Sequence, residues 1–210
     1  MSDARSEILA RIARATSTGS PSSWEEIPRD YRQSSTASDR ELVDLLTHRL
    51  HDYDAQVVEA SSSDAATAVA AMLKAREVSR IVIPPGLQSS LLPPGFNFIE
   101  DTGLSHAELN QCEGILTECT LAIAETGTIV LQNVPGQGRR AATLVPDYHL
   151  CIVDAAKIVA TVPEAIERLN PTAHLATTFI SGPSATADIE MTRIKGVHGP
   201  RFLDVVLLLE

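Results

Sequence analysis

Residues 55–84, AQVVEASSSDAATAVAAMLKAREVSRIVIP, decide the fold class of this chain. The segment begins with a run at Ala55–Ala60 that is typical of a strand, and Ser63–Ala75 follows as an alanine-rich helix. The next run, Ile81-Val82-Ile83, is apolar throughout and ends in prolines, as a short buried strand does. Because a strand, a helix and a strand follow one another directly, the segment predicts a parallel sheet covered by helices.

The same alternation continues on both sides of this segment. Ser38 and Glu41 form a capping-box pattern that predicts the start of a helix. Apolar runs predict strands at 96–99, 121–124, 128–132, 142–145, 149–153, 176–181 and 203–209, and a helix at 162–169. The sequence therefore predicts an α/β fold, an open mixed sheet with helices on both faces. An N-terminal helical arm and linker at 1–37 would precede the α/β domain at 38–210.

Composition excludes several classes of protein. The 210 residues carry a net charge of −10, which argues against nucleic acid or an anionic membrane as the main partner. No apolar run approaches the roughly 20 residues of a membrane span, and the N-terminus lacks an apolar secretion core. We therefore expect a cytoplasmic protein. Cys112, Cys119 and Cys151 form no Cys-x-x-Cys pair, so we expect reduced thiols, no metal site and no cofactor.

Glycines and polar side chains occur together in two segments before residue 141. Glu125 follows an apolar strand, and the turn from Thr126 to Thr128 sends the chain back. Gly127 permits a tight turn or the close approach of a ligand. Because Glu125 would stand at the end of a strand, we expect it at the ligand edge of the sheet. The alternative is a simple hairpin with a solvated glutamate. Arg139 and Arg140 follow a glycine-rich loop and offer planar donors for carboxylate or phosphate, or are only solvated charge.

Two further segments lie near the C-terminus. A predicted strand runs into Ser181 and Gly182, and Ser184 is placed to cap a short helix whose free N–H groups would bind an anion. Asp188 adds a carboxylate to this segment, and a plain helix cap without a ligand is the alternative. His198 stands between glycines and is a candidate acid or base, because imidazole titrates near neutral pH. A purely structural histidine is the alternative.

Other catalytic patterns are weak. Asp147 and His149 are two residues apart, which places them on one side of an extended chain. The sequence contains no zinc-ligand spacing, P-loop, dinucleotide-binding glycine motif or serine-hydrolase elbow. Nothing in these patterns specifies ATP, NAD or a serine nucleophile.

Four stretches of the C-terminal half resemble the lactate utilization protein C family, the LUD-domain proteins of bacterial lactate operons. They are AETGT at 124–128, LVPDYH at 144–149, ISGPSATADIE at 180–190 and GVHGP at 196–200, and they occur in the family's order. The resemblance implies a fold like that of the sugar-phosphate isomerase and CoA-transferase superfamily. It also implies a role in the oxidation of L-lactate to pyruvate with two iron–sulfur partner proteins, without an assigned cofactor.

Within that role, we predict proton transfer by Glu125 and His198. The predicted ligand is a small carboxylate or phosphate. The residues predicted to bind it are Thr126, Gly127, Thr128, Arg139, Arg140, Ser181, Gly182, Ser184 and Asp188. Two alternatives stay open. One is a stand-alone isomerase or acyl/CoA-transferase that acts on a phosphorylated or CoA-linked substrate, and the other is a non-catalytic binding or assembly module. Whether the chain is itself an enzyme, and whether it forms a homo-oligomer, is also left open.

Overall fold

The computed structural model describes residues 3–17, 26–28, 30–186, 194–196 and 198–209. A boundary between two compact units falls between Arg32 and Gln33. The first unit contains helix α1 (Ala4–Thr16), which begins after Asp3, whose side chain accepts a hydrogen bond from the N–H of Arg5. The predicted division after residue 37 stays a prediction.

The second unit alternates strands and helices, as the sequence predicts. Its described α-helices are α2 (Asp39–Asp52), α3 (Ala65–Ala75), α4 (His106–Leu109) and α5 (Val162–Leu169). Its described strands are β1 (Gln56–Ser61), β2 (Arg80–Ile83), β3 (Asn97–Glu100), β4 (Gly114–Thr117), β5 (Leu121–Ile123), β6 (Thr128–Gln132), β7 (Tyr148–Asp154), β8 (Ile158–Val159), β9 (Thr177–Ile180), β10 (Ala185–Thr186), β11 (Ile194–Lys195) and β12 (Phe202–Leu209). The capping box of Ser38 and Glu41 is present at the start of α2, as predicted.

The main sheet has six parallel strands in the order β1-β12-β7-β4-β2-β3. Because side chains alternate along a strand, β7 sends Leu150 and Ile152 to one face and Cys151 and Val153 to the other. The first pair packs in a core with α3, and the second pair packs in a core with α2. The predicted α/β fold with helices on both faces of the sheet is confirmed.

The antiparallel pairings lie in two smaller sheets. The strand order β8-β5-β6-β9 combines a β5–β6 hairpin with an antiparallel neighbour, β9, and a parallel one, β8. One face of this sheet packs on the α2 side of the main sheet, and α5 covers the other. Strands β10 and β11 form a separate antiparallel pair.

The predicted strand at 142–145 is wrong. Ala142 donates its N–H to the carbonyl of Arg139 at 3.1 Å, and Val145 donates to Ala141 at 3.1 Å, so this segment forms consecutive turns. These local hydrogen bonds pair the backbone groups that a strand would pair with its neighbour, while Ala142 packs in a core cluster with Val82 and Ile115. Among the described residues, no helix is long and apolar enough to cross a membrane.

Candidate ligand-binding site

A cavity of about 260 Å³ lies at the amino-terminal edge of the parallel sheet. The first residues of β7 and β12 line it, where His149 and Leu203 are neighbours in the strand register. The loops that follow β9 and precede β12 complete the wall. Its polar side chains are those of Arg140, Thr143, His149, Ser181, Ser184 and His198. Open α/β sheets usually bind ligands at the carboxyl ends of their strands, so this cavity lies at the opposite edge.

His149 is the most buried polar group of this cavity, at 2% exposure. Its Nε2 lies 2.8 Å from Oγ1 of Thr117, near the end of the neighbouring strand β4. Burial, and then the positive charge of Arg140, lowers the pKa of His149 to about 4. The imidazole is therefore neutral at pH 7. Asp147, paired with His149 in the weak sequence pattern, instead forms an ion pair with Arg201.

Arg139 and Arg140 have different environments, although they are adjacent in the chain. Arg139 donates from Nε and a terminal nitrogen to the Asp101 carboxylate, at 2.8 and 2.9 Å, and also to the carbonyl of Leu104. Burial alone would raise the pKa of Asp101, but the hydrogen bonds from Arg139 and the neighbouring backbone lower it below its ordinary value. Arg140 lines the cavity, its positive charge acts on His149, and its guanidinium makes no ion pair with any residue that the structure describes. The fold therefore brings Arg140 to the candidate site and commits Arg139 to Asp101.

The loop that contains Ser181, Gly182 and Ser184 lines the cavity, and its predicted ligand binding stays a prediction, but the helix expected to start after Ser184 is wrong. Residues 185–186 form strand β10, which pairs with β11. The N–H of Ser184 donates to the carbonyl of Pro200 at 2.8 Å and is not free for an anion. Hydroxyl groups, and not a helix N-terminus, are what this loop offers a ligand.

The structure places one of the two candidate residues of the C-terminal segments, His198, and does not describe the other, Asp188. His198 is exposed and lines the cavity, and its N–H donates to Oγ of Ser184 at 3.2 Å. This hydrogen bond fixes the backbone of the His198 loop beside the serine loop. Asp188 lies outside the described residues, so its predicted role stays a prediction.

Glu125 is exposed on the β5–β6 hairpin, so the expectation that it stands at the ligand edge of the main sheet is wrong. The hairpin belongs to the smaller sheet, and Glu125 is not among the cavity-lining residues. Its N–H donates to the carbonyl of Ala160, and its own carbonyl accepts from Nε of Arg49, both at 3.1 Å. Gly127 has a φ of +61°, and a Cβ there would lie 2.7 Å from Cβ of Arg49. The turn is thus built for close packing against α2.

A chain of hydroxyl groups joins this turn to the cavity wall. Oγ1 of Thr126 lies 2.7 Å from Oγ1 of Thr128, which lies 2.8 Å from Oγ of Ser181. Thr128 is buried, whereas Ser181 reaches the cavity. The predicted residues Thr126 and Thr128 therefore support a cavity residue and do not line the cavity themselves.

The three cysteines are buried and reduced in the structure. In the part of the chain that the structure describes, no group of three or more His, Cys, Asp and Glu side chains is placed to hold a metal ion. Among the described residues, the side chains at the cavity are suited to binding a small anion.

Comparison with known proteins identifies the family. A family model of the LUD domain matches residues 100–208. A lactate utilization protein C of Deinococcus radiodurans is 37% identical over 209 residues, covering 98% of this chain and 96% of that protein. Another, from Shouchella clausii, is 37% identical over 124 residues, covering 55% of this chain and 53% of that protein. A crystal structure of a DUF162 family protein from Deinococcus radiodurans has a TM-score of 0.73 at 35% identity, covering 82% of this chain and 99% of the other. This chain therefore belongs to the lactate utilization protein C family of LUD-domain proteins.

Proposed function

We propose that this chain is a component of a bacterial L-lactate utilisation system and that its cavity binds a small carboxylate. The observation that carries the proposal is Arg140, a cavity-lining residue whose guanidinium has no ion pair with any described residue, because guanidinium groups bind carboxylates through paired hydrogen bonds. In a chain of net charge −10, such a group is a local site of positive charge. The names of the relatives, lactate utilization protein C, support lactate or pyruvate as the acid.

The size and charge of the cavity favour a small monoanion. About 260 Å³ lies below the roughly 300–1,000 Å³ of typical drug-sized ligand sites. A phosphate monoester carries about −1.5 to −2 charges at pH 7 and calls for more than one cation. Among the described residues that line the cavity, Arg140 is the one arginine or lysine and His149 is neutral, so this single permanent positive charge matches a carboxylate better than a phosphate.

Electron transfer requires a partner in this proposal. Oxidation of L-lactate to pyruvate removes a hydrogen from the hydroxyl oxygen and one from C2, which amounts to two protons and two electrons. Arginine, histidine, serine and threonine side chains bind the acid and exchange protons, but they do not accept electrons. We assign the electrons to the iron–sulfur partner proteins that the family resemblance implies, with this chain acting beside them in the cytoplasm.

Ligand titration of the isolated chain, by calorimetry or NMR, tests this function. Arg140→Gln should weaken L-lactate and pyruvate binding by roughly 10–100-fold, since a hydrogen bond to a charged group contributes about 1.5–3 kcal/mol. Lys74→Gln, the same loss of charge on the exposed side of α3, is the matched control and should bind as the unmodified chain does. In a strain that lacks the gene, Lys74→Gln should restore growth on L-lactate, and Arg140→Gln should not. A folded chain that binds neither acid, or binds both without Arg140, would contradict the proposal.

A further inference from the structure

The cavity holds one polar group whose hydrogen bonding is incomplete. His149 is only 2% exposed to solvent. Of its two ring nitrogens, only Nε2 has a hydrogen-bond partner among the described residues, and that partner is Thr117. Nδ1 has no hydrogen-bond partner among the described residues, and it does not belong to the fully enclosed polar atoms that lack one, which are Thr47 Oγ1, Arg80 Nε and Tyr148 Oη. Because His149 lines the cavity, its Nδ1 atom is available to a polar atom of a ligand there.

We infer that His149, held by Thr117, recognises the oxygen on C2 of the bound acid and so selects 2-hydroxy and 2-oxo acids. The inference rests on the proposed carboxylate site, since Arg140 would hold the carboxylate beside this imidazole. Both residues line the same cavity, and Arg140 is close enough to influence the charge state of His149. An acid fixed by its carboxylate presents its C2 substituent next to that anchor.

The hydroxyl of Thr117 allows the imidazole to act as a donor or as an acceptor. In the part of the chain that the structure describes, Oγ1 of Thr117 has two hydrogen-bond partners, Nε2 of His149 at 2.8 Å and Sγ of Cys151 at 3.6 Å. When the hydroxyl donates to Nε2, Nδ1 carries the proton and donates to a C2 carbonyl. When the hydroxyl donates to the sulfur, Nε2 donates to Thr117, and Nδ1 accepts from a C2 hydroxyl. Rotation of one hydroxyl therefore suits the site to both lactate and pyruvate, while the imidazole stays neutral.

Propionate is the discriminating probe, because it has the charge and carbon chain of lactate but no oxygen on C2. The unmodified chain should bind L-lactate and pyruvate about fivefold or more tightly than propionate. His149→Gln keeps a polar atom near the Nε2 position and loses the one at Nδ1, so its affinities for the three acids should agree within about twofold. His149→Asn keeps a polar atom near Nδ1 and should restore part of the preference. This rescue distinguishes recognition of the ligand from a merely structural histidine.

Thr117→Val supplies a second variant that leaves His149 in place. It removes the rotating hydroxyl and should shift the lactate-to-pyruvate affinity ratio by about fivefold or more. With ¹⁵N-labelled histidine, NMR should show different ring tautomers of His149 in the two complexes. Equal selectivity over propionate in the unmodified chain and His149→Gln, with binding still dependent on Arg140, would overturn this inference and leave the proposed function standing. If no acid binds to the folded chain, both fall.

Discussion

The neutral state of His149 makes the stability of this protein depend on pH in a defined way. Folding lowers the pKa of this imidazole from its ordinary value of 6.5 to about 4. Between these two values the unfolded chain binds more protons than the folded one, so acid favours unfolding. The stability that belongs to neutral His149 is complete above pH 6.5 and is lost as the pH falls toward 4.

The magnitude follows from the difference between the two pKa values, about 2.5. At 1.36 kcal/mol for each pKa unit, the full loss is about 3 kcal/mol, and about 2 kcal/mol of it occurs between pH 7 and pH 5. That is a large share of the roughly 5–15 kcal/mol by which domains are stable. It is large enough to be measured against the titration of the acidic residues.

Urea unfolding of the unmodified chain and His149→Gln at pH 7, 6 and 5 isolates this contribution. The variant should be less stable at pH 7, because it loses the hydrogen bond to Thr117, but the difference between the two proteins should shrink by about 2 kcal/mol at pH 5. His174→Gln, which removes an exposed histidine, should follow the unmodified chain across the range. If the curves for the unmodified chain and His149→Gln stay parallel from pH 7 to pH 5, His149 is not held neutral by burial.

Three further substitutions separate structural residues from candidate functional ones, each measured by urea unfolding. Arg139→Gln should lose about 2–3 kcal/mol, because it leaves the 2%-exposed carboxylate of Asp101 with backbone donors but without a cation; Asp101→Asn in the same chain should recover part of it. Gly182→Ala should lose about 1–3 kcal/mol, since φ is +85° there and a Cβ would lie 2.7 Å from Cγ of Tyr53. Glu125→Gln should change stability by less than about 0.5 kcal/mol and leave carboxylate binding intact. Loss of growth on L-lactate with this variant would support the predicted catalytic role of Glu125, and normal growth would leave it a turn residue.

Local patterns predicted the elements better than their arrangement. The run at 55–84 gives a strand, a helix and a strand, as predicted, yet β1 pairs with β12 and β2 with β3 and β4. Strand partners depend on contacts between distant parts of the chain, which no local pattern contains. Strand β4 was missed because Ile115 and Leu116 are a short apolar run, and such a run fits a strand or a buried helix equally well.

The candidate site was predicted in part, for a similar reason. Arg139 and Arg140 look alike in the sequence, and only the position of Asp101, 38 residues earlier, separates a structural arginine from one available to a ligand. The sequence predicts the hairpin at Glu125 as a turn between two strands, but not the sheet to which these strands belong. The two strands of a hairpin pair with each other in any sheet, so their sequence does not identify the sheet. His149 was given only a weak catalytic pattern with Asp147, and the partner that matters, Thr117, is 32 residues away.

The alternation of β7 explains why an imidazole stands at this point of the fold. Residues 149, 151 and 153 face the side of the sheet that carries α2, and the last two are Cys151 and Val153, buried in the core. A histidine at either of those positions would be enclosed by apolar side chains without room for a ligand. At 149 the strand has only begun, and its register neighbour Leu203 also lies at the start of a strand. The layer above them consists mostly of loops, with the end of β9 and the start of β10, and it leaves a cavity. The geometry that packs the core therefore also places one buried, neutral imidazole in the cavity where we propose that Arg140 holds an acid.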